Sequence, residues 1–283
     1  MLPATHRQRA TRLPGRGAVA GWAATRACGV EDCDGLDSDG RTLLDVPQCL
    51  GRQRVRGGDG VELWFDPLPE EDVVEIDGIR FTRPARTCLD RMRRADDLRE
   101  AVVVVDQMAH AGLVKLPDMA AYADARAGWR GIEQAHRALR LSDPMSRNGW
   151  ETRMRMVWVL DAGLPTPMCN PPIFDLYEGL LGFPDLFDPT AGVVVEYDGS
   201  GHRESRQHDQ DNKREEVFED HGLVVARVSR ADLADRRALA DRMARTRRRG
   251  LRRNRAHDAW TLDVPPSWGA YGAADDDVDA MFT

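Results

Sequence analysis

The sequence predicts a mixed α/β fold built from two domains. Its 283 residues exceed the roughly 100 to 200 residues of a typical domain, and 42% of them are hydrophobic, which allows each half a buried core. Short runs with strand-like alternation occur between longer runs whose apolar residues recur at helical spacing. The run Val193-Val194-Val195 is continuously apolar, which is typical of a strand buried on both faces.

The N-terminal domain, residues 1–143, is predicted to be a small α+β unit. Its strands follow from alternating apolar and polar residues, and Asp77-Gly78 predicts a tight hairpin turn. Its first helix follows from a run of small apolar residues, and its two helices after Pro84 follow from apolar residues at 3.6-residue spacing. The predicted elements are, in chain order, a helix at 18–28, strands at 61–65, 73–76 and 79–82, and helices at 85–94 and 98–111.

The C-terminal domain, residues 144–265, is predicted to be an α/β unit with one mixed sheet and a helix on each side. Its first helix has an apolar stripe and ends at Gly163. The predicted elements are a helix at 150–162, strands at 172–176, 183–187 and 192–198, a polar helix at 203–221, a strand at 223–228 and a helix at 231–249. An acidic tail, residues 266–283, is predicted to be disordered.

The charge balance excludes a uniformly basic nucleic-acid-binding surface, because 47 acidic residues outnumber 40 basic ones. No run of about 18 apolar residues predicts a membrane span, and no signal-peptide pattern follows the N-terminus. We therefore expect a cytoplasmic protein with no membrane partner. Five scattered cysteines predict reduced structural thiols rather than a zinc site, and no pattern predicts a small-molecule cofactor.

Acidic residues occur in the C-terminal domain where strands normally carry apolar ones. Asp185 follows Pro184, and Glu196 and Asp198 end the most apolar strand of the chain. Burying a carboxylate is costly unless it is paired or binds a metal. Side chains alternate along a strand, so Glu196 and Asp198 share a face, and Asp185 joins them if its strand is adjacent. Such oxygen ligands suit Mg²⁺ or Mn²⁺, although Asp185 and Asp198 could instead be simple turn residues.

The run Pro184-Asp185, ten residues, then Glu196-Tyr197-Asp198 resembles the PD-(D/E)XK nuclease superfamily. The closest resemblance is to its branch of very-short-patch-repair (Vsr-like) endonucleases, and it covers roughly residues 148–249. It includes Glu151 on the preceding helix. The resemblance implies a restriction-endonuclease-like mixed sheet flanked by helices and a Mg²⁺- or Mn²⁺-dependent DNA endonuclease that hydrolyses phosphodiester bonds. Upstream, the run Arg86-Thr87-Cys88-Leu89-Asp90 resembles a motif of domains similar to AbiEi-type antitoxins and regulators.

The resemblance also implies a role for each residue that matches the nuclease pattern. Asp185 and Glu196 would bind the metal, and Glu151 would reach the metal or its water. Asp198 stands where the superfamily has lysine and could add a ligand or accept a proton. His202 would be the general acid or base. Asp211 and Arg214 are predicted to form a supporting ion pair. Two alternatives are that Glu151 pairs with Arg155 on a solvated helix face and that His202 is an ordinary surface residue.

The positive charge of the C-terminal domain is concentrated between Arg236 and Arg255, where ten arginines accompany one acidic residue. We predict that it binds DNA phosphates, chiefly through Arg245, Arg247, Arg248 and Arg249; the alternative is a solvated helix. Two other functions stay open. One is a non-catalytic DNA-binding or antitoxin-like regulator with a degenerate nuclease fold. The other is a protein-interaction module whose arginine helix and acidic tail bind protein partners.

Overall fold

In a computed structural model of the chain, described for residues 15–30, 33–36, 41–53, 55–56, 58–198, 215–266 and 268, two compact units are present. They span residues 1–149 and 150–283. The division falls six residues after the predicted boundary, because the backbone N–H of Asp143 donates to Asp106 and Pro144 contacts His110. These contacts keep residues 143–149 with the N-terminal unit. The predicted acidic tail lies almost entirely outside the described residues.

A five-stranded mixed sheet forms the centre of the N-terminal unit, in the order β3-β2-β1-β5-β4. Its strands are β1 (Ala18–Val19), β2 (Val46–Cys49), β3 (Val61–Trp64), β4 (Val73–Ile76) and β5 (Ile79–Thr82). The predicted hairpin between β4 and β5 is confirmed. Asp77 and Gly78 both have positive φ, as a two-residue hairpin turn of the favoured hand requires.

Helices of the N-terminal unit are α1 (Gly21–Ala27), α2 (Pro84–Arg94), α3 (Leu98–His110), α4 (Leu116–Asp124) and α5 (Ile132–Leu141). The prediction of a helix from residue 18 is wrong at its start. Ala18 and Val19 pair with strands on both sides, and the chain turns into α1 at Gly21, where φ is +57°. Pairing across the sheet therefore outweighs the local preference of small apolar residues for helix.

The C-terminal unit contains two sheets, so the prediction of a single sheet is wrong, whereas the predicted α/β class is confirmed. The four-stranded mixed sheet has the order β11-β10-β9-β6, and the three-stranded sheet has the order β12-β7-β8. The strands are β6 (Met168–Cys169), β7 (Ile173–Asp175), β8 (Leu180–Gly182), β9 (Leu186–Asp188), β10 (Val193–Asp198), β11 (Val224–Ser229) and β12 (Trp260–Thr261). The short β6, β8 and β12 carry too few residues for a recognisable alternation.

Helices cover both faces of the four-stranded sheet. They are α6 (Gly149–Met156), which continues as a π-turn over Val157–Asp161, α7 (residues 215–220), α8 (Arg230–Ala234) and α9 (Arg236–Leu251). The last helix was predicted to be continuous, but Asp235 breaks it and caps α9 by accepting the N–H of Ala238. Residues 203–214 of the predicted polar helix lie outside the described residues. No helix among the described residues is long and apolar enough to cross a membrane.

Both faces of β10 are buried, as its continuous apolar run predicts. Val193 and Val195 pack in one core with Trp158 of the π-turn and Met243 of α9. Val194 packs in the other core, which includes Phe218 of α7. The strand is fully buried up to Val195 and half-buried from residue 196 to residue 198. The acidic residues thus begin where the strand leaves the core.

Candidate active site

Two neighbouring strands bring Asp185 and Glu196 together. β9 and β10 pair antiparallel up to Leu186 and Val195, so the next residues along this register are Asp185 and Glu196. Asp185 ends the ladder there, because its Oδ2 accepts the backbone N–H of Tyr197 at 2.6 Å. The carboxylate of Asp185 is thereby fixed against the backbone of β10.

The pairing of β10 with its other neighbour, β11, places a cation beside Glu196. β10 and β11 run parallel, and Glu196 lies opposite Arg227. The Nη2 atom of Arg227 is 2.9 Å from Oε2 of Glu215 in α7. This ion pair connects α7 to β11.

These side chains line one cavity of about 160 Å³ at the end of β10. The charged lining groups are four carboxylates and one guanidinium. The lining residues are Asp185, Glu196, Tyr197, Asp198, Glu215, Phe218, Val225 and Arg227. The structure therefore brings three of the sequence-predicted residues, Asp185, Glu196 and Asp198, into one strongly acidic cavity, and it adds Glu215 and Arg227, which sequence reasoning missed.

Glu151 is not in the lining of this cavity. It is 3% exposed on α6, and its Oε2 accepts the side-chain N–H of Asn170 at 2.8 Å. Asn170, in the left-handed region with φ +47°, in turn donates its backbone N–H to the carbonyl of Asp185 at 3.3 Å. The alternative of a solvated Glu151–Arg155 pair is wrong, because Arg155 is also buried. Glu151 thus contacts a residue hydrogen-bonded to Asp185 rather than the cavity itself.

Three predicted site residues, His202, Asp211 and Arg214, lie outside the described residues. Within the described residues, no group of three or more His, Cys, Asp or Glu side chains is arranged to hold a metal ion. A comparison with protein-family models, curated proteins and solved structures finds no match for this chain. The geometry and charge of the site are therefore the observations that bear on function.

A stacked aromatic pair adjoins the acidic cavity. The rings of Trp150 and Tyr197 are parallel within 2°, with centroids 5.5 Å apart. The guanidinium groups of Arg153 and Arg230 lie 4.9 and 5.2 Å from the Trp150 ring centroid. Burial raises the pKa of Tyr197, and the neighbouring Asp198 adds to this effect, although the two arginines oppose it. From the sequence, Trp150 was expected only at the start of the helix at 150–162, because stacking between residues that are distant in the chain leaves no local signal.

The arginines of α9 separate into two groups by the direction that each side chain takes. Arg247 points inward, where its Nε donates to Oδ2 of the buried Asp188 at 2.7 Å. Arg245, Arg248 and Arg249 line surface grooves instead. Three of the four predicted DNA-binding arginines are thus exposed, while Arg247 neutralises a buried carboxylate.

Arg86 and Asp90, the charged ends of the N-terminal motif, belong to a buried ion network. Arg86 is fully buried, with its Nε 2.7 Å from Asp90 and its Nη1 3.0 Å from Asp72. The hydroxyl of Thr87 donates to the carbonyl of Thr82 at 2.9 Å. Burial alone would lower the pKa of Arg86, but the adjacent Asp90 outweighs it and the pKa is raised. The motif therefore stabilises the fold of this unit.

All five cysteines are free thiols. Cys28 is half-buried and the other four are buried. The Sγ of Cys49 accepts a hydrogen bond from Nη2 of Arg86 at 3.4 Å, so one of the thiols belongs to the same network. These positions agree with the structural role expected for the thiols.

Proposed function

We propose that the C-terminal unit is a Mg²⁺- or Mn²⁺-dependent DNA endonuclease of the Vsr-like type. The observation that carries this proposal is the convergence of Asp185, Glu196 and Asp198 in one cavity at the end of a buried strand. Asp185 and Glu196 are positions at which the sequence resembles the nuclease motif, whereas Asp198 stands where that motif has lysine. Carboxylates are expensive to gather in a half-buried site without a cation to balance them.

The donor set suits a small hard cation. All of the candidate ligands in the cavity are carboxylate oxygens, which Mg²⁺ and Mn²⁺ prefer. Mg²⁺ commonly keeps several waters and takes one or two protein carboxylates, so Asp185 and Glu196 suffice without a third protein ligand. When bound, the ion would activate a water and balance charge on the phosphate.

Residues of the chain would position the metal ion and the attacking water. Asp185 is held by the N–H of Tyr197, which fixes one ligand before a metal binds. Glu151 would act indirectly, because it accepts a hydrogen bond from Asn170, which in turn donates to the backbone carbonyl of Asp185. Asp198 could accept a proton from the attacking water, because it lines the same cavity. His202 stays a prediction for the general acid or base.

Isothermal titration with MnCl₂ tests the metal site directly. The variants Asp185→Asn and Glu196→Gln keep side-chain size and remove charge. We expect each to weaken Mn²⁺ binding by at least about tenfold, since loss of even an outer-shell partner has that effect. Asp220→Asn is the matched control, because Asp220 is exposed at the end of α7 and does not line the cavity. Equal Mn²⁺ binding by all four proteins would refute the metal site.

Nicking of supercoiled plasmid tests the reaction. We expect nicking that requires Mg²⁺ or Mn²⁺, that chelation stops, and that Asp185→Asn and Glu196→Gln abolish. Circular dichroism spectra and thermal melts of the variants establish that they are folded. Nicking that survives both substitutions would place the reaction elsewhere or assign it to a contaminant.

A second candidate function is DNA binding without catalysis, as expected for a regulator with a degenerate nuclease fold. Two observations favour it: Asp198 stands at the position of the superfamily's lysine, and the described residues supply no three-ligand metal group. This function predicts DNA binding that neither metal nor Glu196→Gln weakens, together with no nicking under any metal condition. The two assays above therefore separate the candidates.

A further inference from the structure

The acidic cavity and the arginine groove share lining residues on strand β11. β11 is the last strand on one side of the sheet, as far as the structure describes it. Val225 and Arg227 of this strand line both the 160 Å³ cavity and a groove of about 370 Å³ beside α9. Arg227 can therefore contact a ligand in the groove and a ligand in the cavity.

The groove is lined by a stripe of α9. Arg242, Arg245, Thr246 and Arg249 are spaced at i, i+3, i+4 and i+7 and so fall on one helix face. Arg242 is held 3.1 Å from Asp232, and Nη2 of Arg249 is 3.5 Å from the carbonyl of Val225. The stripe therefore runs alongside β11, with Arg249 at Val225 and Arg242 at Asp232, just beyond the end of the strand.

The length of this stripe can be compared with the rise per nucleotide of a DNA strand. Seven residues of α-helix span about 10.5 Å, and one strand of B-DNA advances about 3.4 Å per nucleotide. Measured along the duplex axis, the stripe from Arg242 to Arg249 therefore corresponds to about three nucleotide steps.

The charge of the cavity explains why arginines are needed beside it to bind a phosphodiester. The cavity holds four carboxylates against one arginine, so by itself it repels an anionic phosphodiester. The adjoining surface carries the three arginines of the stripe, of which Arg242 is paired with Asp232, and it shares Arg227 with the cavity. Arginine binds phosphate through two parallel N–H groups, which positions the phosphate as well as attracting it.

We propose that Arg227, Arg242, Arg245 and Arg249 form a phosphate-binding track for one DNA strand. Arg227 lies on β11 between the contacts of Arg249 and Arg242, and because it also lines the acidic cavity we place there the phosphodiester that enters the cavity. Arg227 supplies beside Glu196 the positive charge that position 198 lacks. This role of Arg227 rests on the proposed nuclease function, whereas the track itself requires only DNA binding.

DNA binding without metal tests the track. Fluorescence anisotropy of a labelled duplex, measured in EDTA from about 50 to about 200 mM salt, gives the affinity and its salt dependence. Arg245→Gln and Arg249→Gln should each weaken binding and reduce the slope of log K against log salt by about 0.9. Arg237→Gln is the matched control, because it removes the same charge from an exposed position of α9 outside the groove. Affinities and slopes equal to those of the control would overturn the track.

Arg227 requires a test that separates phosphate binding from its ion pair with Glu215. We expect Arg227→Gln to weaken metal-free DNA binding and to leave Mn²⁺ binding equal or tighter, because a positive charge leaves the cavity. Arg227→Lys should recover part of the DNA affinity, since it restores charge without the paired N–H groups. Weaker Mn²⁺ binding in Arg227→Gln, with no recovery by lysine, would show that Arg227 serves only to hold α7.

The two proposals fail in different ways. Wild-type protein that binds DNA through the track but binds no Mn²⁺ refutes the nuclease and leaves the track standing. Protein that nicks DNA with metal, but whose groove variants bind as the control does, refutes the track and leaves the nuclease standing.

Discussion

Replacing Arg86 with methionine should destabilise the N-terminal unit by about 3 kcal/mol. Removing one partner of a buried ion pair typically costs about 3 to 5 kcal/mol, because the other charge stays buried. We expect the lower end, since Asp90 retains Arg93 at 2.9 Å and Asp72 retains Arg126 at 3.2 Å. Total stabilities are about 5 to 15 kcal/mol, so the change removes a large share of what holds the unit folded.

Urea unfolding followed by circular dichroism measures this effect. With a slope of about 2 kcal/mol/M, a loss of 3 kcal/mol lowers the midpoint by about 1.5 M. Hydrogen exchange of the α2 amides assigns the transition to the N-terminal unit. Arg140→Met is the control, because Arg140 is exposed in the last turn of α5 and its loss should cost less than about 1 kcal/mol. A midpoint for Arg86→Met no lower than that of the control would refute the stabilising role of the motif.

Two further predictions concern packing. Burial raises the pKa of Cys88 to about 12, so its thiol stays protonated at pH 8 and should resist alkylation until urea unfolds the chain. The buried Cys88 thiol contributes fully to the free energy of unfolding below a pH of about 8.5, and this contribution is lost as the pH rises toward 12. Mass spectrometry that finds Cys88 alkylated in the folded protein would contradict the expected resistance to alkylation. Gly250→Ala should lower the melting temperature although alanine favours helix, because a Cβ there would lie 2.5 Å from the carbonyl oxygen of Ala191. An unchanged or higher melting temperature would show that α9 and β10 are not so closely packed.

Local sequence patterns predicted much of the fold. The hairpin at Asp77-Gly78 was predicted because this turn type demands residues that tolerate positive φ. The strand at Val193-Val194-Val195 was predicted because both of its faces are covered. The two-sheet arrangement of the C-terminal unit was not predicted, since strands of two or three residues carry too little alternation to be recognised.

The candidate site was partly predictable, because a local sequence pattern also determines which of its residues share a strand face. The alternation of side chains along one strand placed Glu196 and Asp198 on one face, and both line the cavity. Sequence reasoning missed Arg227, which is distant in the chain and is brought opposite Glu196 only by the parallel register of β10 and β11. It also could not distinguish Arg247 from its neighbours on α9.

By itself, the sequence determined most of the longer helices and strands and which carboxylates share a strand face. These properties follow from backbone geometry within a few residues. The tertiary structure alone decided that Arg247 neutralises Asp188, that Glu151 contacts Asn170, and that Arg227 joins the acidic cavity to the arginine groove. Such contacts depend on strand register and helix packing, which only the burial of the whole core determines.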